Sequence, residues 1–214
     1  MPDVNFKVEG IEPEQFSATP LLVFKIAIAQ AGTPAPIHTI ALRCQIRIEP
    51  ARRRYDSGEE ARLVELFGQR QQWSQTLRST LWTHAATMVP AFTDSIVADL
   101  PVPCTFDFNV AMTKYFDALQ DGDVPLSLLF SGTIFYQNQS GALQTAPISW
   151  EKEAAARLPA RTWRQMMEHY YPNTAWLCLN KTLFDRLHRY KAGGGHATWE
   201  NAIDGLLKSS EKNE

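Results

Sequence analysis

The chain lacks any apolar run near the ~20 residues needed to span a bilayer, so no membrane-spanning helix is expected. It is also poor in cysteine. Cys44, Cys104 and Cys178 are odd in number, widely spaced and without a C-x-x-C pair. That speaks against a disulfide framework and suits a reducing cytoplasm. Structural zinc normally takes close ligand pairs, because two ligands on one tight turn fix half the tetrahedron, and none is present. Charge of one sign is lacking as well: the net charge is −2, which gives no global pull toward nucleic acid or anionic lipid. The opening MPDVNFKVEG has neither a basic n-region nor an apolar h-region, so a signal peptide is not expected. Internal repeats and low-complexity tracts are missing too.

Catalytic signatures are equally scarce. Ser131 follows Phe130 and precedes Gly132, without the first glycine of a nucleophile elbow, and it sits in a strand pattern where a strand-to-helix turn is required. His84 suits a half-buried, backbone-bonded histidine better than a general base. Gly193-Gly194-Gly195 follows a helical pattern, whereas a phosphate loop follows a strand and opens a helix; it reads as a C-cap and linker. Cys44 and Cys104, with His38 or His84, are the residues a metal or thiol chemistry would need, but apolar-face cysteines are core residues by default. No catalytic residue and no cofactor are implied.

What the chain has is periodicity. With 214 residues and 44% apolar composition it can bury a core without staples. Ile40, Leu42, Cys44, Ile46 and Ile48 alternate with Ala41, Arg43, Gln45 and Arg47, the mark of a strand with one dry and one wet face. Similar strand signals lie at 4–8, 22–29, 81–89, 92–100, 104–112, 126–136 and 143–150. Pro101 and Pro103 are expected to end one of them, and Gly132 to mark a bulge or a close backbone approach. Between strands, Ser57 and Glu60 have capping-box spacing, Leu63, Leu66 and Phe67 form a helical stripe, and Gly68 is a natural stop.

After residue 156 the period changes to that of helices. Trp163, Met166, Met167 and Tyr170 repeat at i, i+3, i+4, i+7, after Pro159 and before Pro172. Leu183, Phe184, Leu187 and Tyr190 mark a second helix, and Trp199, Ala202, Ile203 and Leu206 a third, capped by Thr198. The late cluster of Trp163, Met166, Met167, Tyr170, Tyr171 and Trp176 is read as core, with an adaptable Met-rich contact surface as the alternative. The expectation is an α+β protein: an antiparallel β-sandwich of about seven or eight strands, a helical insertion near 57–79, and three C-terminal helices. One domain is expected overall, with residues 156–214 packed on a sandwich formed by 1–155.

The most concentrated charge is Arg52-Arg53-Arg54 followed by Tyr55, with Arg43 and Arg47 on the wet face of the preceding strand. Arginine suits bidentate contact with carboxylate or phosphate. Three readings stand: internal pairing with Glu59 and Glu60, contact with a partner protein, and binding of an anion or nucleic acid. Arg43, Arg47, Arg52, Arg53, Arg54 and Tyr55 are therefore the candidate partner-binding residues.

The words ALRCQIRIEPARRRY (41–55), ELFG (65–68), LPVPCTFDF (100–108), PLSLLFSGTIFY (125–136), WEKE (150–153) and YYPN (170–173) resemble a bacterial family known as a domain of unknown function. The resemblance covers nearly the whole chain. It implies a place in the gene clusters of actinobacterial-type uptake nickel–iron hydrogenases, and so a cytoplasmic accessory or assembly role. It implies no functional residue. The expected function is a non-enzymatic accessory protein that binds another protein. A client-binding chaperone is the first alternative, and a metal- or thiol-dependent enzyme or carrier the second.

Overall fold

The structure is a computed structural model that describes every residue except 1, 32–34, 105–109, 139, 176 and 213–214, together with all described side chains but that of residue 110. It forms two compact units, Met1–Pro172 and Asn173–Glu214. In the first, the described elements in chain order are β1 (Asp3–Pro13), β2 (Leu21–Ala31), β3 (Ile37–Ile48), α1 (Ser57–Phe67), α2 (Trp73–Thr76), β4 (Thr80–Val89), β5 (Ser95–Pro103), α3 (Val110–Ala118), β6 (Asp123–Gln137), β7 (Leu143–Pro147), β8 (Glu153–Pro159) and α4 (Ala160–Tyr170).

All pairing is antiparallel. One sheet has the order β1-β2-β5. The other runs β4-β3-β6, and β6 then pairs β8 along its first half and β7 along its second. This is the expected α+β class, two antiparallel sheets in a sandwich-like arrangement. The inner faces carry the alternation seen in the sequence: Phe24, Ile26 and Ile28 on β2, Ile40 through Ile48 at even positions on β3, and Leu126, Leu128 and Phe130 on β6 are all buried. Each such side chain contributes ~1.5–3 kcal/mol by leaving water. Phe6 stacks on Phe130 with centroids 4.2 Å apart, and Phe24 meets Trp82 at 6.3 Å, so aromatic contacts tie one sheet to the other.

Three local expectations are corrected. Pro101 does not end β5: it pairs with Val23, and the strand runs on to Pro103, its last residue, opposite Leu21. β5 is an edge strand, and residues two apart point their N–H the same way, so both prolines put the missing donor on the open side. The 104–112 alternation falls partly outside the described residues, and Val110–Ala118 is helix. Met112, Tyr115, Phe116 and Leu119 fall at i, i+3, i+4, i+7 and are all buried, a helical period that overrides the alternation. The final strand is not a single one near 143–150, because β7 stops at Pro147 and β8 follows.

α4 buries Trp163, Met166 and Met167, with Trp163 stacked on Phe116 at 4.2 Å. Tyr170 donates its hydroxyl to the carbonyls of Glu14 (3.1 Å) and Ser17 (2.8 Å). Core packing is thus where most of the late aromatic cluster is spent; Trp176 lies outside the described residues.

The second unit holds α5 (Lys181–Gly193) and α6 (Trp199–Glu211). Asn180 caps the first by accepting from the Leu183 amide, and Thr198 caps the second by accepting from that of Asn201. Phe184, His188 and Trp199 form an aromatic cluster between the two helices, with Lys191 5.5 Å from the Trp199 ring.

Candidate functional site

The arginine-rich segment forms one wall of a cleft of about 480 Å³. Its path follows from local chemistry. β3 ends before Pro50, which opens a single 3-10 turn, Pro50–Arg52, and Arg53 is again extended. Asp56 then caps α1. Its carboxylate accepts from the Glu59 amide at 2.8 Å, and the Glu59 carboxylate accepts from the Asp56 amide at 3.4 Å. The capping box is therefore Asp56/Glu59, one residue before the expected Ser57/Glu60, because Ser57 already lies within the helix. The opposite wall is the 120–123 turn between α3 and β6. Pairing of β8 with β6, Pro125 opposite Arg157, brings Arg157 to the same cleft.

Arg53 and Glu59 are the centre of the arrangement. Their side chains are only 7% and 4% exposed, and Arg53 Nη2 lies 2.5 Å from Glu59 Oε1. Arg53 also donates to the carbonyls of Asp123 (3.1 Å) and Asp121 (2.5 Å), while Glu59 accepts from the Gln120 amide at 2.8 Å. One buried ion pair thus holds the start of α1 against the 120–123 turn. Gly122 has a φ of +75°, and a Cβ there would sit 3.1 Å from Arg53 Nη1. Tyr55 packs beside this pair. Its hydroxyl meets that of Tyr115 at 2.9 Å and donates to the Pro50 carbonyl, and the Arg53 guanidinium carbon is 5.6 Å from its ring. Burial raises both tyrosine pKa values, so both hydroxyls act as hydrogen-bonding groups and not as acids.

The six candidate residues divide by environment. Arg53 and Tyr55 are tied down as described. Arg47 is held at the start of β4, donating to Ser79 Oγ (2.9 Å) and to the Ser79 carbonyl (3.2 Å), while Ser79 Oγ donates to Glu49 (2.6 Å). Arg52 and Arg54 are exposed in the cleft, and Arg43 is exposed on β3. Among the described residues, the side chains of Arg43, Arg52, Arg54 and Arg157 make no hydrogen bond or ion pair. Arg157 escaped the sequence reading because it lies in Glu153-Ala-Ala-Ala-Arg157, where alanine gives little strand signal.

The family model that describes a family of unknown function, DUF6084, matches residues 1–214. The chain belongs to that family. No curated protein matches it. Among solved structures, this DUF6084 member is similar to a late embryogenesis abundant (LEA) protein, at 12% identity, TM-score 0.32, over 74% of this chain and 72% of that one. It is also similar to the ApaA protein from Bordetella pertussis, at 12% identity, TM-score 0.25, over 73% and 93%. Likeness at this level carries no functional argument.

The thiol and metal candidates of the DUF6084 chain differ in environment. Cys44 and Cys104 are buried free thiols, and burial pushes both pKa values up to about 12. His38 and His84 are exposed. Among the described residues no three His, Cys, Asp or Glu side chains are grouped to hold a metal ion. Cys178 is exposed. At pH 8, about one in 10⁴ of a thiol with so high a pKa is thiolate, the reactive form. A native thiol titration is therefore expected to report one fast-reacting cysteine, and denaturant to release the other two. Fast reaction of all three in the folded protein would show that the strands open.

A second, smaller cleft of about 330 Å³ involves Pro13, Phe16, Met166 and Tyr170, with Phe16 almost fully exposed. No helix among the described residues is long and apolar enough to cross a membrane.

Proposed function

We propose that this protein is a non-enzymatic accessory that binds another protein through the arginine cleft. Arg52, Arg54 and Arg157 make the contact, and Arg53, Tyr55 and Arg47 hold the surface in shape. One observation carries this reading: exposed arginines without internal partners stand around a cleft whose floor is fixed by a buried ion pair. A surface fixed before binding loses less entropy on association, and arginine is enriched where interfaces carry their energy. The resemblance to a family of hydrogenase gene clusters makes a nickel–iron hydrogenase subunit or maturation protein in the cytoplasm the first partner to seek.

The test is recovery of the tagged full chain from its native host under gentle conditions, beside a variant carrying Arg52→Glu, Arg54→Glu and Arg157→Glu. A stoichiometric partner is expected with the first and lost with the second. The melting temperature should barely change, because exposed substitutions of this kind stay within about 0.5 kcal/mol each. A hydrogenase component as that partner would support the assembly role. Many unrelated clients would favour the chaperone reading, and full retention of the partner by the variant would overturn the cleft as the contact.

A further inference from the structure

We propose that the cleft recognises an acidic peptide segment, with peptide carboxylates bound by Arg52, Arg54 and Arg157 around the buried Arg53. This rests on the partner-binding reading and gives that partner its chemistry.

The first observation is an unmet donor. Both Arg53 terminal nitrogens are engaged, yet Nε is buried and has no acceptor. Buried as it is, this N–H is out of a ligand's reach; it leaves the guanidinium beneath the cleft short of one acceptor, at a cost of ~1–3 kcal/mol. The second is a set of unpaired cationic side chains. Three exposed guanidinium groups share a concave site with Arg53 and lack partners among the described residues. Arginine binds carboxylate through two parallel N–H···O bonds, and a cleft of this size lies within the ~300–1,000 Å³ range of ligand pockets.

The third observation decides the class of ligand. The cleft also presents Asp121 and Asp123, both exposed, and among the described residues their carboxylates accept no hydrogen bond. A compact phosphate dianion sets two negative charges close to both carboxylates and, as hydrogen phosphate, has a single O–H to offer the two of them. A peptide offers both signs of partner: side-chain carboxylates for the arginines and backbone N–H groups for the aspartates. Glu59 does not compete for the rim arginines, since it is buried and bonded to Arg53 and to the Gln120 amide.

The test uses the full chain and a fluorescently labelled, end-blocked hexaglutamate peptide, followed by anisotropy at low and moderate salt. Hexaglutamine serves as the uncharged probe. Hexaglutamate is expected to bind at least about tenfold tighter than hexaglutamine, a difference worth ~1.4 kcal/mol. Arg52→Gln, Arg54→Gln and Arg157→Gln together should remove that preference. Lys181→Glu, Arg186→Glu and Arg189→Glu together make at least as large a charge change at residues that do not line the cleft, and should leave it within about twofold.

Equal binding of the two peptides overturns the proposal. So does equal loss in the two triple variants, which would mean binding by bulk charge. Displacement of the peptide by equimolar inorganic phosphate would make the cleft a phosphate site instead. If the native partner is lost on arginine substitution but hexaglutamate does not bind, the acidic-peptide chemistry fails while the partner reading stands. If neither responds, both fail.

Discussion

Gly132→Ala is expected to cost on the order of 4 kcal/mol and to lower the melting temperature by about 10 °C or more. Gly132 lies in β6 with a φ of +138°, a region open to almost no other residue, and a Cβ there would fall 2.0 Å from the Ala41 carbonyl oxygen. That oxygen belongs to the backbone of β3, which pairs with β6 from Ile37 to Ile48 and lies between β4 and β6. A flexible side chain could swing away, but a central strand cannot. Relief requires β3 and β6 to separate at Leu42–Gly132, in the middle of the ladder. Gly141→Ala is the matched control: its φ is +81°, but nothing lies within 4 Å of its Cβ. It should lose only about 1 kcal/mol. Thermal melts of the two variants separate backbone strain from collision, and similar melting temperatures would show that the strands part at little cost.

The role of Gly132 was readable from the sequence because a glycine inside a clean alternation has few explanations. The same clarity holds for β3, whose end at Ile48 matches that of the alternating run from Ile40 to Ile48, and for the caps at Gly68 and Thr198. Legibility fails where two periods overlap or where neither is strong. At 104–119 an alternating pattern and a helical one share residues, and only packing decides between them. At 153–159 alanines fit a helix better than a strand, yet β6 exposes an unpaired edge that the segment fills. Pairing between segments distant in sequence lies outside any local window.

The candidate site was legible by type and not by role. A run of three arginines shows that charge is concentrated, but not which guanidinium turns inward. Alternation gave Arg43 and Arg47 a shared wet face, while the bond from Arg47 to Ser79 depends on how β4 begins. Internal pairing and partner contact were opposing readings of one cluster. The structure gives internal partners to Arg53 and Arg47 and leaves Arg52 and Arg54 without one among the described residues. The pairing of Arg53 with Glu59, six residues on, needs the Asp56 cap to start α1 where it does.

That pair supports the other large prediction. Arg53→Met and Glu59→Met are each expected to destabilise the protein by about 3–5 kcal/mol, because each leaves one buried charge without its partner. Arg53→Met should be the more damaging for the 120–123 turn, since the guanidinium also holds the carbonyls of Asp121 and Asp123. Replacing both, Arg53→Met with Glu59→Met, removes both charges from the low-dielectric site and should cost at least about 2 kcal/mol less than the two single losses added together. Chemical denaturation of the four proteins closes the cycle. Additive losses would mean that the two side chains are stabilised separately and that the cleft floor is not a single unit. Strong coupling would mean that the cleft keeps its shape only while the pair is intact. A partner bound there would then be lost on Arg53→Met even with Arg52, Arg54 and Arg157 unchanged.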